Sequence, residues 1–200
     1  MLKEPEGDKV MGKDERIVEL VRYSKLGNAH AFAELYEMIY QDLYKTALYR
    51  LGNAADAENA VSDTVLDAYA GIGRLRVEKA FKAWIFRILS NKINRILREY
   101  VANRQNQMGT PIEEMSEAVA SPDNAMQNAE DKTLIQSAFS VLNYEERQIV
   151  TMTVYGEYDS GQIADMMNLN RNTVRSKYSR ALAKMKNFLS SGGEMYGQQR

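Results

Sequence analysis

The sequence predicts an all-α chain: two small helical domains joined by a flexible linker, the C-terminal one carrying a helix-turn-helix. Three observations predict it. Apolar residues recur at three- and four-residue spacing through most of the 200 positions. Only three prolines and few β-branched runs interrupt that pattern. One stretch, residues 101–131, lacks sustained periodicity and holds Gly109, Pro111 and Pro122, which marks it as a linker between modules at about 14–100 and 132–190.

Residues 1–13 are charged, contain glycine and offer little to bury, so a loose arm is expected. The first helix starts near Asp14, with Ile17, Leu20 and Val21 on one face, and Lys25-Leu26-Gly27-Asn28 reads as its stop. A second helix opens at Asn28 or Ala29. Its inward row runs Phe32, Leu35, Tyr36, Ile39, Tyr40, Leu43, Tyr44, Ala47 and Leu48 until Gly52-Asn53. The third, from about Asp56 to Tyr69, turns Ala57, Val61, Thr64, Val65 and Ala68 inward. Asp56, Asn59, Asp63, Leu66 and Asp67 face outward. Gly71 and Gly73 break it, and a basic connection follows from Arg74 to Lys79.

The helix from Phe81 to Tyr100 places Phe81, Ile85, Ile88, Leu89 and Ile96 on one side. Arg87, Asn91, Asn94 and Arg98 stand opposite, with Trp84 at one edge. Beyond the linker a helix starts near Asp131, with Leu134, Ile135, Ala138, Phe139 and Leu142 inward. Asn143 caps the next, Tyr144 to Tyr155, whose Ile149, Val150 and Val154 support a final helix pair. In that pair Asp159 caps the first helix, Asn168 ends it in the left-handed conformation that Asn tolerates, and Asn170 caps the second. Val174, Tyr178, Ala181, Met185 and Leu189 continue the apolar row.

Composition excludes several functions. With no cysteine there is neither disulfide nor thiolate metal site, and the single His30 cannot form a histidine cluster. No catalytic residues, metal site or cofactor are therefore expected. No apolar run approaches the roughly 18 residues of a membrane span, and the polar start MLKEPEGDKV is unlike a signal peptide, so a cytoplasmic location is expected. The net charge of -1 hides a strong segregation. Residues 74–98 carry eight Lys or Arg against Glu78 alone, residues 171–186 carry six with no acid, and residues 110–131 carry six acids with no base.

Basic helical faces suit nucleic acid. On the last helix Asn172, Ser176, Ser179 and Arg180 point away from the apolar row, flanked by Arg175 and Lys177. In a major groove Arg matches guanine, Asn matches adenine and Ser either. The same residues also fit a solvated face on a packed helix. Along the Phe81 helix, Arg87, Asn91, Asn94 and Arg98 form a line of phosphate- and base-binding groups, beside which Trp84, the one tryptophan, either packs in the core or stacks on an unpaired base, the basic stripe favouring the second. Leu66, set among carboxylates, is the kind of residue a protein partner with a basic rim would bury, though single exposed leucines are also ordinary on a soluble surface.

In this order, the motifs resemble a bacterial RNA polymerase sigma factor of the sigma-70 family, extracytoplasmic-function (ECF) type, over about residues 14–190. AFAELYEMIYQDLYKTALYRLGNAADAENAVSDTVLDAYAGI is similar to the first helices and polymerase-binding helix of that family. FKAWIFRILSNKINRILREY resembles its minus-10 helix, and LNYEERQIVTMTVYGEYDSGQIADMMNLNRNTVRSKYSRALAKMK its minus-35 domain. The resemblance implies core RNA polymerase (β′ and β subunits) and promoter DNA as partners, an anti-sigma factor among its regulators, and no enzymatic activity. It assigns Asp56, Asn59, Asp63, Leu66 and Asp67 to the polymerase. Trp84, Arg87, Asn91, Asn94 and Arg98 go to the melted minus-10 strand, and Arg74, Arg76 and Lys79 to the pocket for a flipped base. Arg171, Asn172, Arg175, Ser176 and Ser179 go to the minus-35 element, with Lys177, Arg180 and Lys184 on phosphates. Asn172, Arg171 and Asn168 depart from residues common in relatives, so promoter specificity does not carry over.

Three other readings make different demands. A helix-turn-helix regulator that does not replace sigma would bind a palindrome as a dimer without polymerase. A nucleic-acid-processing enzyme would need Asp63 and Asp67 to hold Mg²⁺. A helical adaptor would leave both basic faces without a role.

Overall fold

A computed structural model describes residues 12–108 and 134–191, with side chains described as far as residue 103 in the first span. Among these residues all regular structure is helical. Helices α1 (Lys13–Lys25), α2 (Ala29–Leu51), α3 (Ala54–Gly71) and α4 (Phe81–Met108) make the N-terminal unit. Helices α5 (Leu134–Ser140), α6 (Tyr144–Val154), α7 (Ser160–Met167) and α8 (Arg171–Ser190) make the C-terminal one. Two single turns of 3₁₀ helix, Ile72–Arg74 and Glu78–Ala80, connect α3 to α4.

Local chemistry sets most boundaries. Asn28, Asn53, Asn143, Asp159 and Asn170 each accept a backbone N–H at a helix start, relieving a donor that has no partner within the helix. Gly52 ends α2 at φ 70°. Asn168 ends α7 at φ 53°, the left-handed stop expected of it. α4 runs on to Met108, eight residues past Tyr100 and into the span read as linker; its apolar rows had thinned out there, but a regular backbone persists. The loose arm lies outside the described residues except for Gly12 and Lys13, as does the rest of the linker.

In the N-terminal unit α2 is the central element, packed against α1, α3 and α4. Its Leu35, Ile39, Leu43 and Ala47 are fully buried, facing Leu20 and Val21 of α1, Ala57 and Val61 of α3, and Ile85, Leu89 and Ile93 of α4. The C-terminal unit packs α5, α6 and α7 on α8. Several expected core positions fall outside it. Leu134, Ile135, Val154 and Leu189, each at or next to a helix end, are exposed. Phe188 takes the inward place at the end of α8.

The two units touch. One apolar cluster includes Leu35, Leu43 and Phe86 from the first and Ile149, Met152, Ile163 and Val174 from the second. α2 lies against α6, and Tyr49 stacks on Phe139 of α5 with ring centroids 4.3 Å apart. At the centre of this contact sits Arg50, only 2% exposed. Its guanidinium donates to Ser90 Oγ at 3.1 Å, to Asn94 Oδ1 at 2.6 Å and to Tyr144 Oη at 2.9 Å, while Nε is unpaired. Tyr144 also donates to Asn94 Oδ1 at 2.7 Å, and its ring lies 5.8 Å from the guanidinium carbon. Burial holds the pKa of Arg50 below its ordinary value, with Tyr144 opposing that shift. Hydrogen bonds to a charged group are worth about 1.5–3 kcal/mol each, against several for burying the charge. The Arg50 cluster thus orients the contact, while the shared apolar cluster around it supplies most of its stability.

Two further structural groups were not read from the sequence. Arg147, buried, donates through Nε to Phe139 and Leu142 carbonyls at 3.0 and 2.9 Å, closing the end of α5. Gly156, after α6, leaves no space for a side chain: a Cβ there would meet the Met152 carbonyl and the Tyr158 ring at 2.8 Å. Gly156→Ala should therefore lower unfolding free energy by about 1–3 kcal/mol, while Gly73→Ala, where nothing lies within 4 Å, should change it by less than about 0.5 kcal/mol. Urea denaturation of the two variants checks both expectations.

Candidate nucleic-acid interface

The α7-turn-α8 unit is built from its caps. Asp159 Oδ1 accepts from Gly161 N at 2.6 Å and Gln162 N at 3.0 Å, and the Gln162 side chain accepts from Asp159 N at 2.9 Å. These bonds hold the Asp159 carboxyl below its usual range. Ile163 and Ala164 of α7 and Val174 and Ala181 of α8 are buried, closing the angle between the helices. α8 then presents Arg171, Asn172, Arg175, Ser176, Ser179 and Arg180 to solvent along one exposed face. Arg171 Nε and Arg175 Nε both donate to Ser160 Oγ, at 3.1 and 3.3 Å, so the two guanidinium groups converge at the N-terminal end of the helix.

Two lysines of this face are already engaged. Lys177 pairs with Glu145, and Lys184 donates to both carboxylate oxygens of the buried Glu146 at 2.8 and 2.9 Å. Their charge is offset by α6, so they contribute less to any phosphate contact than Arg175 or Arg180. The signal was present in the sequence, since Glu145 and Glu146 sit in α6, two helices earlier, but periodicity does not say which lysine they meet.

On α4 the expected line of Arg87, Asn91, Asn94 and Arg98 is split. Arg87, Asn91 and Arg98 are exposed. Asn94 is half-buried and committed to Arg50 and Tyr144, and Ser90 is buried against Arg50. Trp84 is half-buried, tilted against Phe81 at 6.1 Å, and its ring closes over Gly71, where a Cβ would approach to 3.3 Å. It therefore serves partly as core. Arg74 and Lys79, on the two 3₁₀ turns, and Arg76, in the bend between them, are exposed and enter no ion pair with another described residue.

The acidic face of α3 is also partly compensated. Asp67 pairs with Lys92 at 2.7 Å, Asp63 lies 3.9 Å from Lys92 and 3.6 Å from Arg95, and Asp56 accepts from Tyr100. Asn59 and Leu66 stay open to solvent, Leu66 at 68% exposure, with Tyr69 beside them at 52%. Tyr69 was missed because its position on the helix reads as a margin; its ring edge rests on Phe32 at 5.0 Å. Among the described residues no cluster of His, Asp or Glu could hold a metal, and no helix is long and apolar enough to cross a membrane.

Because its folded-state pKa lies below the ordinary 3.8, Asp159 contributes stability above that value and loses it as pH falls through the depressed one. The difference in Tm between the native chain and Asp159→Asn, which keeps the cap but not the charge, should therefore shrink between pH 6 and pH 3 in a thermal unfolding series.

Comparison with known proteins agrees with this architecture. The family model for sigma-70 region 2 matches residues 35–102, and that for sigma-70 region 4 matches residues 132–185. The chain is 27% identical over 185 residues to the ECF RNA polymerase sigma factor SigM of Mycobacterium tuberculosis, covering 90% of each. To the ECF sigma factor SigW of Bacillus subtilis it is 23% identical over 171 residues, 82% of this chain and 91% of that protein. Among solved structures it resembles CnrH in complex with the cytosolic domain of CnrY, at TM-score 0.58 and 21% identity over 88% of this chain and 98% of the other. It also resembles the sigma factor RpoE in complex with the anti-sigma factor NepR from Bartonella quintana, at TM-score 0.60 and 23% identity over 80% and 96%. With both regions matched in order and relatives aligned along nearly their whole length, the chain belongs to the sigma-70 family of RNA polymerase sigma factors, in its extracytoplasmic-function branch.

Proposed function

We propose that this protein binds core RNA polymerase, directs it to promoters and helps open them, by dividing the work among three surfaces on two units. The observation that carries the reading is the pairing of an α8 face of Arg171, Asn172, Arg175, Ser176 and Ser179 with a second basic face on α4, on a family frame of regions 2 and 4. The α8 face reads duplex at the minus-35 element. Arg87, Asn91, Asn94 and Arg98, with Trp84 at their edge, hold the unpaired minus-10 strand, and Arg74, Arg76 and Lys79 frame a pocket for a flipped base. Trapping unpaired bases offsets the few kcal/mol that each costs to extract from the stack. No bond is made or broken by the chain's own residues.

Leu66 and Asn59, with Asp56, Asp63 and Asp67 around them, form the polymerase-binding surface, and the basic α4 residues that pair with those carboxylates would exchange them for basic groups of the β′ subunit. The β subunit is the second contact, nearest the C-terminal unit. An anti-sigma factor fits as regulator, since two structural relatives are seen with CnrY and with NepR. A net charge of -1 is compatible with DNA work of this kind because the polymerase supplies much of the positive field.

Run-off transcription with core polymerase and genomic fragments tests the proposal: discrete transcripts should arise only when this chain is added. Leu66→Ala should weaken binding to core polymerase about fivefold or more without changing stability, since the residue is exposed and central to its patch. Arg175→Ala should lower promoter affinity by about 5- to 150-fold, the value of one good base contact, and relax sequence preference at one position of the upstream element. Tight binding of the isolated protein to an inverted repeat, with no transcripts, would instead favour a regulator that does not replace sigma.

A further inference from the structure

Arg171 and Arg175 stand one turn apart on α8, both long and both exposed, and an arginine chain gives up rotamer freedom when it is pinned against a base. Ser160, the first residue of α7, meets both of them. Its Oγ accepts from Arg171 Nε at 3.1 Å and from Arg175 Nε at 3.3 Å, so two donors from the neighbouring helix use the two lone pairs of one hydroxyl. The serine is itself held in place. It is half-buried, and Asp159 beside it caps α7 by accepting from Gly161 N and Gln162 N. Arg171 also helps to keep the Asp159 carboxylate charged, and that charge draws the arginine to the same point. With Nε engaged, each guanidinium is left with its terminal fork of Nη1 and Nη2, a pair of donors that matches O6 and N7 of guanine.

We propose that Ser160 is a positioning residue for promoter reading: its hydroxyl gathers the guanidinium groups of Arg171 and Arg175 across the turn and aims their free forks together, so that the two arginines read nearby base pairs as a unit. The inference rests on the minus-35 reading of α8 above. Ser160 belongs to none of the residue sets drawn from the sequence, because α7 carries no cation and periodicity does not show which side chains of α8 reach back to it. Its role differs from that of a serine that touches DNA itself. A direct contact from Ser160 to a phosphate would add affinity on any sequence and would act with or without the arginines. An aimed pair instead loses discrimination when its aim is lost, and only where the arginines are present.

Two measurements test this. In the free chain, NMR of the arginine side chains should show the Nε protons of Arg171 and Arg175 exchanging with water about threefold or more faster in Ser160→Ala than in the native chain or in Ser160→Thr, which keeps the acceptor. Equal exchange in Ser160→Ala and the native chain would overturn the proposal whatever the protein does. With core polymerase, a genomic fragment transcribed in the run-off assay is randomised over its upstream element, and the fragments that the holoenzyme binds are sequenced. The Ser160→Ala holoenzyme should lose roughly two- to tenfold of its preference at the positions that Arg171→Ala and Arg175→Ala identify, the cost of ordering a loosened side chain. Ser160→Thr should keep that preference. Added to Arg171→Ala/Arg175→Ala, Ser160→Ala should change nothing further. A uniform loss of affinity over all sequences that persists without the arginines would make Ser160 a phosphate contact and overturn the positioning role. Should the native holoenzyme transcribe no fragment, the sigma reading falls and promoter positioning with it, while proton exchange still reports whether the serine holds the two arginines.

Discussion

A guanidinium withdrawn from water must find acceptors, and Arg50 finds them only where the two halves of the chain meet. Ser90 and Asn94 come from α4, Tyr144 from α6, and no carboxylate is among them. A cation satisfied by neutral groups gains orientation more than energy. The cluster thus fixes how α2, α4 and α6 face one another. The apolar contacts around it, with Tyr49 on Phe139 at one side, exclude the water that would otherwise compete.

Compensation of charge runs through the whole molecule. Acids of α3 meet bases of α4, acids of α6 meet lysines of α8, and Arg16 of α1 is clamped by Glu19 and by both oxygens of Glu34. The consequence is selective. Charges that find an opposite partner contribute little field to the surface, and those without one define it. On α8 the cations that form no ion pair with another described residue are Arg180, Lys186, Arg171 and Arg175, the last two sharing the Ser160 hydroxyl and Arg171 also acting on the Asp159 carboxylate. On the α3–α4 connection they are Arg74, Arg76 and Lys79. The effective basic surfaces are narrower than the run of Lys and Arg in the sequence.

Rigidity is distributed to match. The helix-turn-helix is locked by reciprocal caps at Asp159 and Gln162 and by Asn168 in its left-handed stop. A groove-reading helix needs that fixed entry angle. Between the units a few polar bonds surround a shared apolar cluster, and Glu157 occupies an unfavourable left-handed conformation between α6 and α7.

The sequence by itself determined the elements: helix starts at Asn28, Asn143, Asp159 and Asn170, stops at Gly52 and Asn168, and the buried rows of α2 and α3 follow from local capping chemistry and from 3.6-residue periodicity, which act over a few neighbours. It also determined which side of α8 is exposed, because that face is the complement of Val174 and Ala181. What only the tertiary structure decided are the encounters between distant residues. That Lys177 and Lys184 are neutralised, that Trp84 is half core, that Leu134 and Val154 lie outside it, and that Asn94 is sealed by Arg50 and Tyr144 all depend on contacts across roughly 10 to 95 positions, and long-range contacts are set by which packing of the whole chain leaves the least apolar surface and the fewest unpaired polar groups in water's absence.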